Sequence, residues 1–210
     1  MLGYDVAVAD NTRAGLGIGY AHSAIDGKAL NNTTGFNTYQ AMAYVAHEDG
    51  TWFADGDVSY GRNGYSGVRQ IAFTGVNRMA LGKYDGEDVT GYVTTGRHFF
   101  TDAVTITPLV SLQVTHLTMN GYTETGPGDI DLQVASQRYN FLESGLGVNA
   151  ARHFDLEDGR DLLPELHVKW LHELLNPNVQ NTAMFTATGS TPFVTSGLNA
   201  APDTLDAGAG

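Results

Sequence analysis

The sequence predicts an all-β protein whose long antiparallel strands cross a bilayer as an up-and-down transmembrane β-barrel. The first observation is the stretch from Val104 to Tyr122, where every second residue up to Val114 is apolar and the residues between are polar except Leu109. Successive strand side chains point to opposite faces, so the stretch has one apolar and one polar face. Strands of soluble domains are usually about 5–6 residues long, whereas a membrane-crossing strand needs roughly 9–11. This stretch is long enough to cross.

The spacing of the other segments is the second observation. About ten strand-like segments recur every 15–20 residues or so, which is wider than the roughly 8–12 residues typical of β-sandwiches. No apolar run reaches the roughly 18 residues of a membrane helix. A mean hydropathy of −0.18 is compatible with a membrane barrel, because lipid-facing residues alternate there with interior ones.

Composition excludes several classes of function. The chain has 210 residues, enough for one β domain, and a net charge of −12 with only 11 Lys and Arg, so it offers no basic surface for nucleic acid. It has no cysteine, which excludes disulfides and thiolate metal sites. The seven histidines show no spacing such as H-E-x-x-H. We therefore expect no metal and no cofactor.

Alternation and turn residues divide the chain into segments. Turns are predicted at Glu48–Gly50, Asn63-Gly64, Ser66-Gly67, Asp85-Gly86 and 155–161, and polar loops at 24–35 and 123–132. A helix is also conceivable over 162–174, because of Leu-Leu-Pro-Glu-Leu, but alternation fits better. The strand-like segments are Tyr4–Val8, Arg13–His22, Phe36–His47, Trp52–Arg62, Val68–Tyr84, Gly91–Phe100, Val104–Tyr122, Tyr139–Phe154, Leu162–Leu174 and, more weakly, 180–195. These loops and turns do not alternate cleanly between a long and a short end, so strand orientation stays open.

The segment from Arg13 to His22 carries glycines at Gly15, Gly17 and Gly19 on one face. A row of glycines weakens a strand and indicates close approach of another element. In a barrel it would make room for whatever occupies the lumen, and in a sandwich it would mark tight sheet packing.

Spaced motifs across the whole chain resemble a known family. They are Gly3-Tyr4-Asp5, Leu16–Tyr20, Asp57–Gly61 with Arg69, Gly91-Tyr92, Thr107-Pro108-Leu109, Tyr122-Thr123-Glu124, Ser144–Gly147, Pro164-Glu165-Leu166, Trp170–Glu173, Phe185 and Phe193. In this order and spacing they are similar to the autotransporter β-domain, the translocator of type V secretion.

The resemblance implies a twelve-stranded barrel in the outer membrane of a Gram-negative bacterium. It also implies an α-helical linker in the lumen, a passenger domain N-terminal to that linker, and insertion by the barrel-assembly machinery. The linker and first strand are expected before Met1, and the last strands after Gly210. Residues 1–210 are thus expected to form a partial β-domain that does not close a barrel by itself.

Alternation assigns eight polar residues to the barrel interior. The interpretation is a net acidic lining that holds the linker helix and passes an unfolded passenger, and the alternative is a solvated sheet face. Asp55 and Asp57, two residues apart on this face, could also act as a general base if their carboxylates were close and dehydrated. An ion-pair and hydrogen-bond network explains the pattern better. The residues are Asp5, Asp55, Asp57, Glu143, Glu165, His167, Lys169 and Glu173. No residue is assigned to catalysis.

Four aromatic residues, Trp52, Tyr60, Tyr122 and Trp170, are expected at the membrane–water interfaces, where amphipathic rings are favoured. The alternative is that they are core aromatics.

Each of the three function hypotheses requires a different structural feature. A translocator that exports its passenger needs lipid outside and a polar interior. An outer-membrane enzyme needs histidines and carboxylates that converge at one rim. A soluble β binding module needs a second sheet packed on the Val104–Val114 face.

Overall fold

The computed structural model describes residues 1–27, 32–155, 160–175, 178–197 and 201–210. Antiparallel strands dominate these ranges, and one 3₁₀ turn occurs at Gly128–Ile130. No helix within them is long and apolar enough to span a membrane. The strands are β1 (Leu2–Ala9), β2 (Thr12–Gly27), β3 (Asn32–Glu48), β4 (Trp52–Phe73), β5 (Val76–Arg97), β6 (Phe99–Phe100), β7 (Thr105–Met119), β8 (Tyr122–Thr123), β9 (Leu132–Val134), β10 (Gln137–Ala151), β11 (Phe154–Asp155), β12 (Asp161–Leu162), β13 (Glu165–Glu173), β14 (Gln180–Phe185), β15 (Phe193–Ser196) and β16 (Asp203–Ala209).

Ten of these strands form one sheet. Its order is β1-β2-β3-β4-β5-β7-β10-β13-β16, with the short β6 paired to β7. Every long strand lies beside the next long strand of the chain and antiparallel to it. The up-and-down, all-β architecture with about ten strands is therefore confirmed. Among the described residues no ladder joins β1 to β16, so the sheet order ends at these two strands.

The outer face of the sheet is an apolar belt. On β7, Val110, Leu112 and Val114 are 49%, 41% and 51% exposed, while the residues between them point to the other face. The described residues include no second sheet packed on this face, which removes the basis for a soluble module. The belt continues on neighbouring strands through residues such as Val6, Leu16, Ile18, Val45, Val58, Val93, Leu146, Val148, Leu166 and Val168.

The inner face is concave. The ammonium of Lys169 on β13 donates a hydrogen bond to the Tyr92 hydroxyl on β5 over 3.2 Å, although β7 and β10 lie between these strands. The same ammonium lies 5.3 Å from the Tyr92 ring centroid. Only a strongly curved sheet brings side chains together across two intervening strands, as expected for a barrel wall.

Two predicted turns are wrong, the one marked by Asn63-Gly64 and Ser66-Gly67 and the one at Asp85-Gly86, because β4 and β5 run straight through them. Asn63 pairs with Gly86, and Gly64 with Asp85, in an uninterrupted antiparallel ladder. The actual turn lies at Thr74-Gly75, between β4 and β5, with a φ of +80° at Gly75. The glycines of the three dipeptides lie in extended strand instead. At Gly86 a Cβ would lie 2.9 Å from the Thr118 carbonyl oxygen, so close approach of another strand requires glycine there.

Two further expectations also need correction. Residues 24–27 and 32–35 continue β2 and β3 instead of forming a loop, and residues 28–31 lie outside the described residues. The segment at 180–195 contributes β14 and β15 to a separate sheet. β16 was not predicted, because Asp203–Ala209 has only one large apolar residue, Leu205.

With these corrections the connections alternate. The turns at 10–11 and 49–51, the connection at 101–104, the end of β10 and the start of β13 lie at one end of the sheet, called here the short-turn end. The ends of β2, β4, β7 and β13 lie at the opposite end, called here the long-loop end after the long stretches of chain that follow β7 and β13. There β8, β9, β14 and β15 form a four-stranded side sheet in the order β15-β14-β9-β8. It is joined to the rim of the main sheet by backbone hydrogen bonds between Leu81 and Thr125, both 2.9 Å.

Inward glycines are covered by side chains of neighbouring strands. A Cβ on Gly15 would lie 2.5 Å from the Tyr44 ring, and one on Gly17 would lie 3.1 Å from the Met42 side chain. Gly145 lies under Lys169 in the same way, and Gly208 under His167. The close approach expected of the glycine row is therefore made by large inward residues of the adjacent strand.

Replacing Gly15 by valine is expected to lower the stability of the folded sheet by about 1–3 kcal/mol, the usual cost of overpacking. Its Cβ would meet both the Tyr44 ring and, at 2.8 Å, the Asp5 Cβ. The measurement is the temperature at which the folded, fast-migrating gel band is lost. Gly91→Val is the control, because nothing lies within 4 Å of a Cβ there. Equal losses in both variants would contradict this packing.

Candidate functional site

The inward face of the sheet carries the polar residues that alternation assigned to it. Asp5 on β1 forms an ion pair with Arg13 on β2, and Arg13 Nε donates to the Asp5 carboxylate at 2.6 Å. Asp57 lies in register between Tyr44 and Tyr92, and Asp55 between Ala46 and Thr94. The two aspartates are both half-buried.

A hydrogen-bonded row crosses three strands farther toward the long-loop end. The Thr38 hydroxyl donates to Asn63 Oδ1 at 2.6 Å, and Asn63 Nδ2 donates to Asp88 at 2.8 Å. The Asp88 carboxylate lies over Gly61, where a Cβ would be only 2.5 Å away. Sequence analysis missed this row, because it placed Asn63 in a turn. The alternation of β4, continued past Arg62, was the signal that could have found it.

The four predicted residues on β13 have different partners. His167 Nε2 lies 3.8 Å from the Asp206 carboxylate on β16, and Lys169 reaches Tyr92. Glu173 Oε1 accepts hydrogen bonds from the backbone N–H groups of Leu142 and Leu175 at 2.9 and 3.1 Å. Glu143 on β10 lies directly opposite Glu173 in the ladder.

Glu165, the fourth, lies at the start of β13. Its backbone exchanges two hydrogen bonds of 3.0 Å with Gly210. The predicted inward residues are thus distributed along the wall and do not converge on one point.

Aromatic residues mark the edges of the apolar belt. At the long-loop edge the Tyr20 hydroxyl donates to Asn37 at 2.8 Å, and Trp170 Nε1 donates to Asp203 at 3.0 Å. Tyr60 lies beside Glu87 near the same edge. Rings in the belt with polar tips directed toward polar partners are the arrangement expected at a membrane interface. At the short-turn edge, the ring of Trp52 lies 4.7 Å from that of His47.

Tyr122 differs from this expectation. Its ring stacks on Tyr84 at 4.5 Å and 11°, and Tyr84 stacks on Tyr65 at 4.7 Å and 12°. Tyr65 and Tyr84 belong to the inward face, and the Tyr122 ring covers Gly82. Tyr122 therefore fastens the side sheet to the inner rim instead of facing lipid. The alternation of β7 ends at Met119, and Tyr122 begins a different strand.

Burial raises the pKa of Tyr122 to about 12, with smaller contributions from Tyr84 and Glu124. A phenol whose pKa is raised by folding contributes stability that is complete below about pH 10 and is lost as pH rises toward 12. We expect the side sheet to detach from the rim in this alkaline range. Ultraviolet titration of phenolate formation should show a late step that Tyr122→Phe removes. A late step that persists in this variant would contradict the assignment.

A buried ion pair lies next to this stack. Arg69 on β4 donates two hydrogen bonds to the Glu124 carboxylate, at 2.9 and 2.5 Å, and Glu124 is only 6% exposed. The carboxylate also accepts from the Leu132 N–H at 2.9 Å. The geometry is bidentate, which is the strong form of an Arg–carboxylate pair. This pair links the main sheet to the side sheet, and sequence analysis assigned it no role although both residues belong to the family pattern.

Within the described residues, one cluster of potential metal ligands lies at the short-turn end. Asp155 and Asp161 are directly opposite each other in the β11–β12 ladder, and His153 lies 3.6 and 3.5 Å from their carboxylates. All three side chains are exposed. Opposed like charges are destabilising in a ladder, and the imidazole ring lies between the two carboxylates.

The family model for the autotransporter beta-domain matches residues 1–210. The chain belongs to the autotransporter β-domain family. A solved structure, the translocator domain of autotransporter NalP from Neisseria meningitidis, aligns with 99% of this chain and 75% of its own length, with a TM-score of 0.70 and 16% identity. This autotransporter β-domain therefore has the translocator barrel fold.

Relatives of known name agree with an outer-membrane location. Outer membrane protein A of Rickettsia conorii is 27% identical over 79% of this chain, and serotype-specific antigen 1 of Mannheimia haemolytica is 27% identical over 61%. Esterase EstA of Pseudomonas aeruginosa is 24% identical over 82%. The chain spans only 9%, 13% and 26% of these relatives' lengths. This autotransporter β-domain is located in the outer membrane of a Gram-negative bacterium.

Proposed function

We propose that this β-domain anchors an N-terminal passenger in the outer membrane and exports it through its interior. The observation that carries the proposal is the separation of the two faces. The outer face is an exposed apolar belt bounded by aromatic residues, whereas the inner face carries charged and hydrogen-bonded side chains such as Asp57, Asn63 and Asp88. A hydrated, polar wall suits a linker helix and an unfolded polypeptide.

The long connections after β7 and β13 support one orientation of the barrel. Outer-membrane barrels have short periplasmic turns and longer extracellular loops. The long-loop end, with the side sheet, therefore faces the cell exterior, and the short-turn end faces the periplasm. The partners we propose are outer-membrane lipid, the passenger and its linker helix, and the barrel-assembly machinery that inserts the strands. We propose no nucleic-acid partner.

We assign no catalytic step to this chain. The predicted inward carboxylates and His167 are distributed along the wall and are not joined in one constellation, so the geometry favours a lining over an active centre. The relative named as an esterase matches this chain over 26% of its own length, which leaves most of that protein outside the likeness.

Site-specific photocrosslinking during export tests the proposal. A benzophenone amino acid at Asp57, on the inner face, is expected to capture the protein's own passenger or linker segment. The same probe at the adjacent outward residue Val58, which is 52% exposed, is the matched control and should capture lipid or nothing. Capture at Val58 only, or at neither position while the passenger still reaches the surface, would contradict export through this wall.

A further inference from the structure

An aromatic groove lies on the outer face of β1–β4, near the long-loop edge of the belt. Its floor is formed by Ile18 and Ala41, and its walls by the rings of Tyr20, Tyr39 and Tyr60. Met1 and Leu2 line its β1 side. The groove has a volume of about 610 Å³. Ala41 lies in register between Ile18 and Tyr60, so a small side chain separates two large ones and leaves the depression.

The groove belongs to the lipid-facing surface. Ile18, Tyr39 and Tyr60 are 61%, 63% and 43% exposed, and all three point outward with the rest of the belt. The Tyr20 and Tyr39 ring centroids lie 5.3 Å apart, and the Tyr20 hydroxyl is held by Asn37 at the polar edge. Rigid rings that stand around an apolar floor fit an extended acyl chain better than they fit water.

An arginine lies at the polar end of the groove. Arg62 lines the groove and follows Tyr60 on the outward face of β4. It lies in register with Glu87, and it forms an ion pair with Asp85 through one contact of 3.7 Å, in which both side chains are more than half exposed. Such an exposed pair contributes little, so the guanidinium can exchange Asp85 for a stronger anion. A phosphate group provides the bidentate acceptor geometry that arginine prefers.

We propose that this groove binds a phosphorylated glycolipid of lipid A type from the outer leaflet, with an acyl chain over Ala41 between the tyrosine rings and a phosphate on Arg62. The outer leaflet is chosen because the groove lies at the long-loop end. That choice rests on the proposed orientation but not on passenger export. The site therefore gives the barrel a specific lipid contact in addition to its general apolar belt.

Native mass spectrometry of the full-length protein, purified in mild detergent, tests the proposal. The probes are lipid A, phosphatidylglycerol and phosphatidylethanolamine. Lipid A is expected to remain bound to the wild type at fractions that phosphatidylglycerol does not reach. Arg62→Gln should reduce the retained lipid A about tenfold, since it removes a charge-assisted contact. Asp85→Asn should retain at least as much as the wild type, because it frees Arg62.

Two further variants separate the site from general effects. Ala41→Trp fills the floor without touching Arg62 and should also reduce lipid A retention. Arg138→Gln removes an exposed arginine on β10 that does not line the groove, and it should leave retention unchanged. All variants are first shown to keep the folded, fast-migrating gel band. Equal retention in the wild type and Arg62→Gln, or equal retention of phosphatidylglycerol, would overturn the proposal.

Discussion

Replacing Arg69 by alanine is expected to release the side sheet from the barrel rim and to lower the free energy of unfolding by about 3 kcal/mol. The loss is large because Glu124, only 6% exposed, would be left as a buried carboxylate without its cation. We place it at the lower end of the usual range because Arg69 itself stays 32% exposed. Hydrogen exchange of β8 and β9 and protease sensitivity of residues 120–136 measure the release.

The control for this experiment is the exposed ion pair between Arg62 and Asp85. Arg62→Ala should change the free energy of unfolding by no more than about 1 kcal/mol, because the side chains of Arg62 and Asp85 are both more than half exposed. The double variant Arg69→Ala/Glu124→Gln should recover part of the stability lost by Arg69→Ala, since it removes the orphaned charge. If Arg69→Ala and Arg62→Ala gave the same small loss, the ion pair would not fasten the side sheet.

Replacing Leu112 by arginine should destabilise the barrel in a bilayer by about 2–4 kcal/mol. Leu112 points outward near the centre of the belt on β7, and a guanidinium there would have to leave water for hydrocarbon. Denaturant unfolding in vesicles measures the loss. The neighbouring variant Gln113→Arg introduces the same side chain on the inner face, in register with Glu143, and should cost little. Reversed effects would assign lipid to the wrong face.

The strands of the belt could be predicted from the sequence where apolar and polar residues alternate. Within the belt, β7 and β13 carry apolar residues outward and mostly polar residues inward, with Leu109 and Leu171 as exceptions, so period 2 assigns the faces. Toward the long-loop end of β4 and β5 the outward residues include Arg62, Asp85 and Glu87, because these strands extend past the belt. Alternation in hydropathy disappears there although the strand continues, so the glycine dipeptides resemble turns in the sequence.

For the residues of the inner wall, the sequence predicts the face on which each residue lies but not the residues that it contacts. Alternation assigns His167 and Lys169 to the inner face, but their partners Asp206 and Tyr92 lie on other strands. The contact between Lys169 and Tyr92 depends on the curvature of the sheet. The position of Tyr122 could not be predicted from alternation. Its aromatic character suits an interface, but the chain leaves the belt at Met119, so the ring stacks on Tyr84 instead. A sequence pattern does not report where a strand changes sheets.

Accessibility scanning along β7 tests the central claim most directly, namely that one face of this sheet meets lipid and the other lines a hydrated interior. The chain has no cysteine, so single cysteines can be placed at each position from 109 to 114 and labelled with a nitroxide in the reconstituted full-length protein. Collision with oxygen, which is enriched in lipid, should peak at Val110, Leu112 and Val114. Collision with a water-soluble nickel complex should peak at Leu109, Ser111 and Gln113. A profile without this two-residue period, or with the two probes exchanged, would contradict the account.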